Sequence, residues 1–308
     1  MRLLPRVSFR LLVPLLLVAC ATRPARTPDS IAAVGGDVTS RLTARIAQSP
    51  GAVVRIAARR LDGRGTRITL LGDSLVHAAS TMKVPVMIAL AQAADRGVIA
   101  LDSAVTLTNR FASIVDGSTY TLGRDDDSDD PVYERVGTDV PIRWLATRMI
   151  THSSNLATNM LMTVVRADTV TAITRRLGTR RMLILRGVED TPAFNAGLNN
   201  VTTANDLAAV FEAIATDRAA SKASCEWMRS VLLQQFYNGA IPAGLPTGTR
   251  VAHKTGDITA VEHDAAIVYP AAGAPYVIVV LTSGVRDRML SQQLIADLTR
   301  IVHAEMQR

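Results

Sequence analysis

The chain has 308 residues, of which 48% are hydrophobic and 20% are charged, and its formal net charge is +7. This composition is typical of one or two globular domains and excludes a disordered, fibrous or repeat-array protein. Residues 1–19 carry three arginines and no acid, so the rest of the chain has a net charge of 7 − 3 = +4. This charge is too modest, and the aromatic content of 4% is too low for base stacking, to predict a nucleic-acid partner.

The positive charges are divided unevenly between the two basic residue types. Of the 34 lysines and arginines, only three are lysines: Lys83, Lys222 and Lys254. A guanidinium stays protonated in a protein, whereas a buried ammonium can lose its proton and act as a base. The three lysines are therefore candidates for chemistry that arginine cannot perform.

The start of the chain predicts export. Residues 1–10 are basic, and residues 11–19 are an apolar run much shorter than the roughly 20 residues of a membrane-spanning helix. This pattern indicates a secretory signal over residues 1–19. The letters LVAC resemble a bacterial lipobox, which implies a lipidated Cys20, a tether to residue 28 and a periplasmic lipoprotein. The alternative is an ordinary secretory signal that is cleaved near a cysteine which is not lipidated.

Hydrophobic spacing and turn residues predict the elements of the first part of the chain. They are a helix over residues 30–47, a strand hairpin over 52–61 and 66–71, and a buried helix over 81–94. The acidic run DDDSDD then matches the first ligand positions of a calcium loop at Asp125, Asp127 and Asp129. It has Asp130 where that loop needs glycine, so we predict a solvated acidic loop and no metal site.

The second part of the chain is helical and then returns to strands. The helical patterns cover residues 139–218 with a break at 187–200, strand patterns follow at 250–253, 265–269 and 276–283, and an amphipathic helix covers 290–306. In a further helical stretch, Cys225 is predicted as a small core residue and Lys222 as a surface residue.

Strands at both ends of the chain and helices between them predict an α+β fold. Its economical form is one antiparallel sheet made from both chain ends, flanked by helices, with an inserted all-helical domain. We expect an α/β domain of residues 29–79 and 245–308 and a helical domain of residues 80–244, with the active site between the two.

Two serines are candidate nucleophiles. Ser74, in the letters GDSL after a strand, resembles the nucleophile of the GDSL esterases, but the Asp-x-x-His pair of that family is absent from the sequence, so a turn is favoured. Ser80 lies three residues before Lys83, which on a helix puts both side chains on one face. A helix N-terminus also offers free backbone N–H groups to a developing oxyanion.

Two further motifs complete a set. Ser153-Ser154-Asn155 follows in the helical region, and Lys254-Thr255-Gly256 lies on a returning strand. S-x-x-K, S-x-N and K-T-G in this order resemble the class A β-lactamases and their penicillin-binding relatives. The resemblance implies a β-lactamase-like fold, a β-lactam or peptidoglycan-peptide substrate, no cofactor and a monomer.

The resemblance also implies roles for the motif residues. Ser80 would form an acyl-enzyme, with Lys83 as base or proton relay. Ser153 would protonate the leaving nitrogen, and Lys254 would provide the electrostatic environment of Ser153. The expected substrate-binding residues are Asn155, Thr255, Gly256 and Asp257. The backbone N–H groups of Ser80 and Asp257 would form the oxyanion hole.

The substrate carboxylate would meet a like charge at Asp257. Arg286 or Arg288 would offset that charge.

Hydrolysis of the acyl-enzyme needs a further base. Class A enzymes use a glutamate in an R-x-E-x-x-x-N pattern, and Glu189 falls in the corresponding region, although Arg186 is one place too far away and Asn195 is out of step. Asp190 competes for the role, and an ion pair with Arg186 is an alternative for Glu189. We therefore predict a serine β-lactamase, with a D,D-peptidase or esterase and a non-turnover β-lactam sensor as the alternatives.

Overall fold

The computed structural model describes residues 37–63 and 65–308. The predicted signal over residues 1–19, the lipidated Cys20 and the tether to residue 28 lie outside the described residues. The predicted first helix is described only from residue 37 onward.

The strands of the described chain are, in order, β1 (Val53–Arg60), β2 (Arg67–Leu70), β3 (Val76–His77), β4 (Ala104–Thr106), β5 (Phe111–Ala112), β6 (Thr119–Tyr120), β7 (Asp139–Pro141), β8 (Val201–Thr202), β9 (Arg250–Ile258), β10 (Val261–Tyr269) and β11 (Tyr276–Ser283). The α-helices are α1 (Val38–Ala47), α2 (Lys83–Asp95), α3 (Asp130–Tyr133), α4 (Ile142–Thr151), α5 (Asn155–Val165), α6 (Ala167–Arg176), α7 (Thr191–Asn195), α8 (Ala204–Ala215), α9 (Lys222–Leu232) and α10 (Arg288–Met306).

The central sheet confirms the predicted fold class. Its strand order is β2-β1-β11-β10-β9, and every neighbouring pair is antiparallel. Strands from the two ends of the chain therefore lie side by side. Strands β9 and β10 are longer than predicted, because both continue through buried polar residues, among them Lys254 and Thr255 of the K-T-G motif on β9.

Alternate side chains of the sheet pack into two hydrophobic clusters, as the two-residue period of a strand requires. On β11, Val277, Val279 and Leu281 belong to the cluster that contains the middle helices. Ile278 and Val280 belong to the cluster that contains residues of α1 and α10. The sheet is thus covered on both faces. The division into domains at residues 79/80 and 244/245 stays a prediction.

Helix α2 lies within the larger cluster. All its residues from Lys83 to Ala91 are buried, as expected of a helix that is apolar around its whole circumference. Its first residue, Lys83, is therefore held in the interior, so the fold itself desolvates one of the three lysines. Lys222 begins α9 on the surface and Cys225 is buried there, both as predicted.

Within residues 37–63 and 65–308, no helix combines the length and the apolar character that a membrane span requires.

Candidate active site

Ser80 lies in a short 3-10 helix, Ala79–Met82, that leads directly into α2. The turn begins at Ala79, whose φ of 45° is in the left-handed region and whose N–H donates to His77 Nδ1 at 3.0 Å. Ser80 is half-buried and lines a cavity of about 380 Å³ together with Asn155, Glu189 and Asp257. The structure therefore brings residues of all three motif regions to one cavity.

Gly256 lets strand β9 approach the Ser80 turn. A Cβ atom at position 256 would lie 2.9 Å from the backbone nitrogens of both Ser80 and Thr81, closer than real Cβ atoms come to such atoms. The sequence predicted a glycine that makes room for substrate. The structure shows that the protein's own backbone already requires it.

Lys83 is fully buried, and its amine joins two of the motifs. Its Nζ donates to the carbonyl oxygen of Ser153 at 2.5 Å, to Ser153 Oγ at 3.2 Å and to Asn155 Oδ1 at 2.8 Å. Within the described residues no hydrogen bond joins Lys83 to Ser80. Burial lowers the pKa of Lys83 to about 8, against the opposing effects of Asp127, Asp257 and Glu189 in that order. A neutral amine is thus accessible near neutral pH.

Ser153 links the two buried lysines. Its Oγ also accepts a hydrogen bond from Lys254 Nζ at 3.0 Å. A hydroxyl has two acceptor lone pairs and one proton, so when Lys83 is the ammonium and both amines donate to this oxygen, its O–H remains available to donate. Ser153 is therefore arranged to give a proton to a third group. Its φ of 61° is strained for a residue other than glycine.

Lys254 is held on β9 with no exposed surface. Its Nζ also donates to the carbonyl oxygen of Thr255 at 2.7 Å. Burial lowers its pKa well below the usual value, and the neighbouring charge of Lys83 acts in the same direction. Two amines this close in the interior disfavour a second charge, so protonation of one opposes protonation of the other.

Asp257 is exposed at the mouth of the cavity, and its partner is Arg288. Arg288 Nη2 lies 3.6 Å from Asp257 Oδ1, and Arg288 Nε lies 3.5 Å from Glu262 Oε2. Of the two predicted arginines, Arg288 is thus the one beside Asp257. Burial raises the pKa of Glu262 to about 7. Sequence reasoning missed Glu262, although the register pairs it with Asp257 across β9 and β10.

Asp190, the competitor for the hydrolytic base, is buried and occupied by structural contacts. Its carboxylate accepts hydrogen bonds from Ser113 Oγ at 2.8 Å, Ile114 N at 2.9 Å and Ala193 N at 3.1 Å. It caps α7 and ties this loop to the segment around residue 113. Asp190 therefore stabilises the loop.

Asn159 holds the residue before Glu189. Its Oδ1 accepts from Val188 N at 2.6 Å and its Nδ2 donates to Val188 O at 2.9 Å. Val188 stands two places after Arg186, where the R-x-E pattern has its glutamate. Sequence reasoning missed Asn159, although it follows Asn155 by one helical turn on the same face of α5.

Glu189 follows in a left-handed conformation with φ of 58° and is exposed to the cavity. It affects the pKa of Lys83 less than Asp127 or Asp257 does. Asn195, the asparagine nearest in sequence, is exposed at the end of α7.

The GDSL segment has a structural explanation. Ser74 N donates to Leu71 O at 3.0 Å in a turn, and Asp73 Oδ1 accepts from Asn205 Nδ2 at 2.9 Å. A Cβ atom at Gly72 would collide with the side chains of Thr69 and Asn205. These residues connect the end of β2 to the start of α8. Among the described residues, no group of His, Cys, Asp or Glu is arranged to hold a metal ion.

This chain is similar to a known protein family and to several solved structures. The profile of the β-lactamase enzyme family matches residues 37–306. A β-lactamase from Sphaerobacter thermophilus is 28% identical, with 87% of this chain and 96% of that chain covered and a TM-score of 0.75. A search of curated proteins finds no match.

Two other solved structures are similar. PBP-A is 25% identical, with 87% of this chain and 95% of that chain covered and a TM-score of 0.74, and a mutant of PBP-A with the same values was solved as an acyl-enzyme complex with penicillin G. An ancestral class A β-lactamase, 24% identical over 87% of this chain and 100% of that chain with a TM-score of 0.75, shares the fold.

Proposed function

Because this chain belongs to the β-lactamase enzyme family, we propose that it is a serine hydrolase that opens β-lactam rings through an acyl-enzyme on Ser80. The observation that carries the proposal is the Ser153 hydroxyl, which accepts hydrogen bonds from both Lys83 and Lys254 beside the Ser80 cavity. This arrangement provides a base for attack and a proton for the leaving group.

In acylation, Ser80 Oγ bonds to the lactam carbonyl carbon and its proton passes to neutral Lys83. The Ser80 Oγ–carbon bond forms while the carbonyl π electrons move to oxygen, and the N–H groups of Ser80 and Asp257 would donate hydrogen bonds to that oxyanion. The lactam C–N bond then breaks and its nitrogen takes the Ser153 proton. The protonated Lys83 returns a proton to Ser153, so both residues recover their starting states.

The remaining motif residues position the substrate. Asn155 Oδ1 accepts a hydrogen bond from Lys83 Nζ at 2.8 Å, and this contact fixes the side-chain amide that would bind a substrate amide. Thr255 would bind the substrate carboxylate, and Arg288 offsets the charge of the neighbouring Asp257.

Deacylation completes the proposed β-lactamase reaction. A water oxygen bonds to the acyl carbon while Glu189 takes one of its protons. The ester bond to Ser80 Oγ then breaks, and the proton that Glu189 took is returned to that oxygen, so that Glu189 is ionised again. The products are the free serine and a ring-opened acid. The presence of Glu189 in the same cavity as Ser80 supports this step.

A second function is favoured by one observation. Asn159 holds Val188, not Glu189, at the place where the R-x-E pattern has its glutamate. With a valine there, acylation would proceed while hydrolysis of a β-lactam adduct would be slow, as in a penicillin-binding D,D-peptidase or esterase. The acyl-enzyme complex of a PBP-A mutant with penicillin G shows that a structurally similar protein can be acylated by a β-lactam. If the β-lactam adduct is not hydrolysed at all, the protein would be a β-lactam sensor that stays acylated.

Turnover and adduct mass distinguish these functions. The purified protein is mixed with a chromogenic cephalosporin, and product formation and intact mass are followed together, with Ser74→Ala as the matched control for Ser80→Ala. Many turnovers that disappear in Ser80→Ala and stall as an adduct in Glu189→Gln support the β-lactamase. One adduct per protein without turnover supports the second function when D-alanyl peptides are hydrolysed, and the sensor when they are not.

We also propose that the protein is an exported, monomeric lipoprotein of the periplasm. The supporting observation is the LVAC sequence that ends the apolar run. Incorporation of labelled palmitate that is lost in Cys20→Ala would support it, and a soluble unlabelled product would contradict it.

A further inference from the structure

The S-x-N motif of this chain lacks a carboxylate at its middle position. Class A enzymes have S-D-N, whereas Ser154 stands there in this protein. Ser154 is fully buried at the N-cap of α5, where its Oγ accepts from Ala157 N at 3.2 Å. The first turn of a helix favours a negative charge, so the substitution removes a favourable group from the motif that carries Ser153 and Asn155.

Asp127, 27 residues earlier in the acidic loop, reaches the same place. Its Oδ2 accepts from Leu156 N in the first turn of α5 at 2.8 Å and from Ser154 Oγ at 3.2 Å. A carboxylate on the free N–H groups of a helix start is favourable through both hydrogen bonding and the helix dipole. The charge missing from the motif is therefore present in space, supplied by another segment.

The next two residues of the loop attach to the preceding side of the motif. Ser128 Oγ donates to the carbonyl oxygen of His152, and Asp129, only 2% exposed, accepts from Arg148 Nε at 2.7 Å and also from Arg148 Nη2. The loop was predicted to be solvated, which is wrong for Asp127 and Asp129, because both make tertiary hydrogen bonds. The loop thus contacts the chain on both sides of Ser153.

Ser153 needs such support because its backbone is strained. A residue other than glycine persists in the left-handed region only where its surroundings hold it there. Its carbonyl oxygen and hydroxyl must both face Lys83, which constrains the peptide on each side. The contacts of Asp127 with Ser154 and Leu156 lie directly after this strained residue.

We propose that Asp127 is a positioning residue that supplies, from the acidic loop, the carboxylate that Ser154 does not provide, and so holds Ser153 and Asn155 against Lys83. The inference rests on the proposed function, since it assigns Asp127 to the acylation step on Ser80. It acts through the motif and does not touch substrate.

The electrostatics of Lys83 agree with this geometry. The charged groups that face its amine are Asp127, Asp257, Glu189 and Lys254. Of the carboxylates, Asp127 raises the pKa of Lys83 most. Removing the charge of Asp127 should therefore lower the pKa of Lys83 further, an effect that a merely structural contact would not produce.

Acylation kinetics test the positioning role. Asp127→Asn keeps a hydrogen-bond acceptor and removes the charge, and Asp125→Asn in the exposed part of the same loop is the matched control. We expect Asp127→Asn and Asp127→Ala to slow formation of the Ser80 adduct roughly tenfold to a hundredfold, because small misplacements of catalytic groups have effects of that size. Rates equal to those of Asp125→Asn would overturn the proposal.

Relocating the carboxylate is a sharper test. The double variant Asp127→Ala/Ser154→Asp places it in the motif itself, and we expect it to recover most of the acylation rate that Asp127→Ala loses. A double variant no faster than Asp127→Ala would overturn the claim that a carboxylate at this place is what the motif requires.

A titration that needs no activity separates this inference from the proposed function. Lysines labelled with ¹³C at Cε give few signals because the chain has only three, and the Lys83 signal is the one lost in Lys83→Arg. We expect Asp127→Asn, but not Asp125→Asn, to lower the titration midpoint of Lys83. An unchanged midpoint would overturn the inference. Absence of any Ser80 adduct in the native protein would overturn the proposed function and leave this titration to decide the inference.

Discussion

Lys254 Nζ lies 3.0 Å from the hydroxyl oxygen of Ser153, which also accepts a hydrogen bond from Lys83 Nζ at 3.2 Å. Two amines without exposed surface thus share one acceptor, and each disfavours the charge of the other. When both amines donate to this oxygen, the proton of Ser153 is left free to be donated to a third group. Two of the only three lysines in this arginine-rich chain therefore bond to the same hydroxyl.

Replacing each lysine by arginine should separate their roles. Lys83→Arg should slow acylation roughly a hundredfold or more, because a guanidinium cannot act as the base. Lys254→Arg should retain part of the activity, since that residue needs only to donate hydrogen bonds. Adduct formation by intact mass measures both, with the exposed Lys222→Arg as control. Equal tolerance at positions 83 and 254 would contradict the assignment.

The acylation rate should depend on pH through Lys83. Its pKa is about 8, and only the neutral amine accepts the serine proton. The rate should therefore rise as pH increases and level off above about 8. Stopped-flow measurement of adduct formation across this range gives the profile. A rate independent of pH on both sides of the midpoint would exclude Lys83 as the base.

Glu262 should make stability fall as pH rises. Burial raises its pKa to about 7, above the ordinary value of 4.5, so the folded state holds this proton more tightly than the unfolded state does. The contribution of Glu262 to the free energy of unfolding is then fully present below pH 4.5, and it is lost as the pH rises to about 7. Glu262→Gln should flatten this part of the dependence of Tm on pH. The exposed Glu226→Gln is the control, and identical slopes in the two variants would count against the buried carboxyl.

Gly256→Ala should damage both the fold and the Ser80 turn. The added Cβ would lie 2.9 Å from two backbone nitrogens, and backbone cannot move aside as a flexible side chain does. We expect a loss of about 1 to 3 kcal/mol in the free energy of unfolding, the usual cost of overpacking. Denaturant unfolding and the acylation rate measure the two effects. A stable and fully active variant would show that β9 is not in tight contact with the turn.

Val188→Glu should speed deacylation. The backbone of residue 188 is fixed at both ends by Asn159, so a glutamate there would stand where the R-x-E pattern has one. We expect hydrolysis of the acyl-enzyme to increase roughly tenfold or more, within the range of general base catalysis. Decay of the Ser80 adduct is the measurement, and Val188→Gln, which has the length without the charge, is the control. Equal decay in the two variants would contradict the expectation.

The motifs were predictable because each is local. Ser80 and Lys83 are one helical turn apart, and Lys254 adjoins Thr255 on one strand, so spacing alone places them together. That Lys83 and Lys254 lie close to Ser153 was expected from the resemblance to a family and not from spacing. The α+β sheet was predictable from strands at both chain ends.

Other parts of the site depend on tertiary contacts that spacing does not show. Asp127 looked like one of several solvated acids, because nothing local to it reveals the start of α5, to which it bonds. Asn159 bonds to Val188 across 29 residues of sequence, and that contact decides which residue of the loop is held beside the cavity. Strand β9 was predicted too short because its buried polar residues break the alternation on which strand prediction relies.

The proposed reaction depends most directly on which serine is acylated. Time-resolved intact mass of the purified protein with benzylpenicillin, followed by peptide mapping, identifies the modified residue and whether the adduct decays. We predict one adduct, located on Ser80 itself by fragmentation of the modified peptide, that decays to unmodified protein with release of the ring-opened acid. An adduct on Ser74, or no adduct at any concentration of penicillin, would contradict the account.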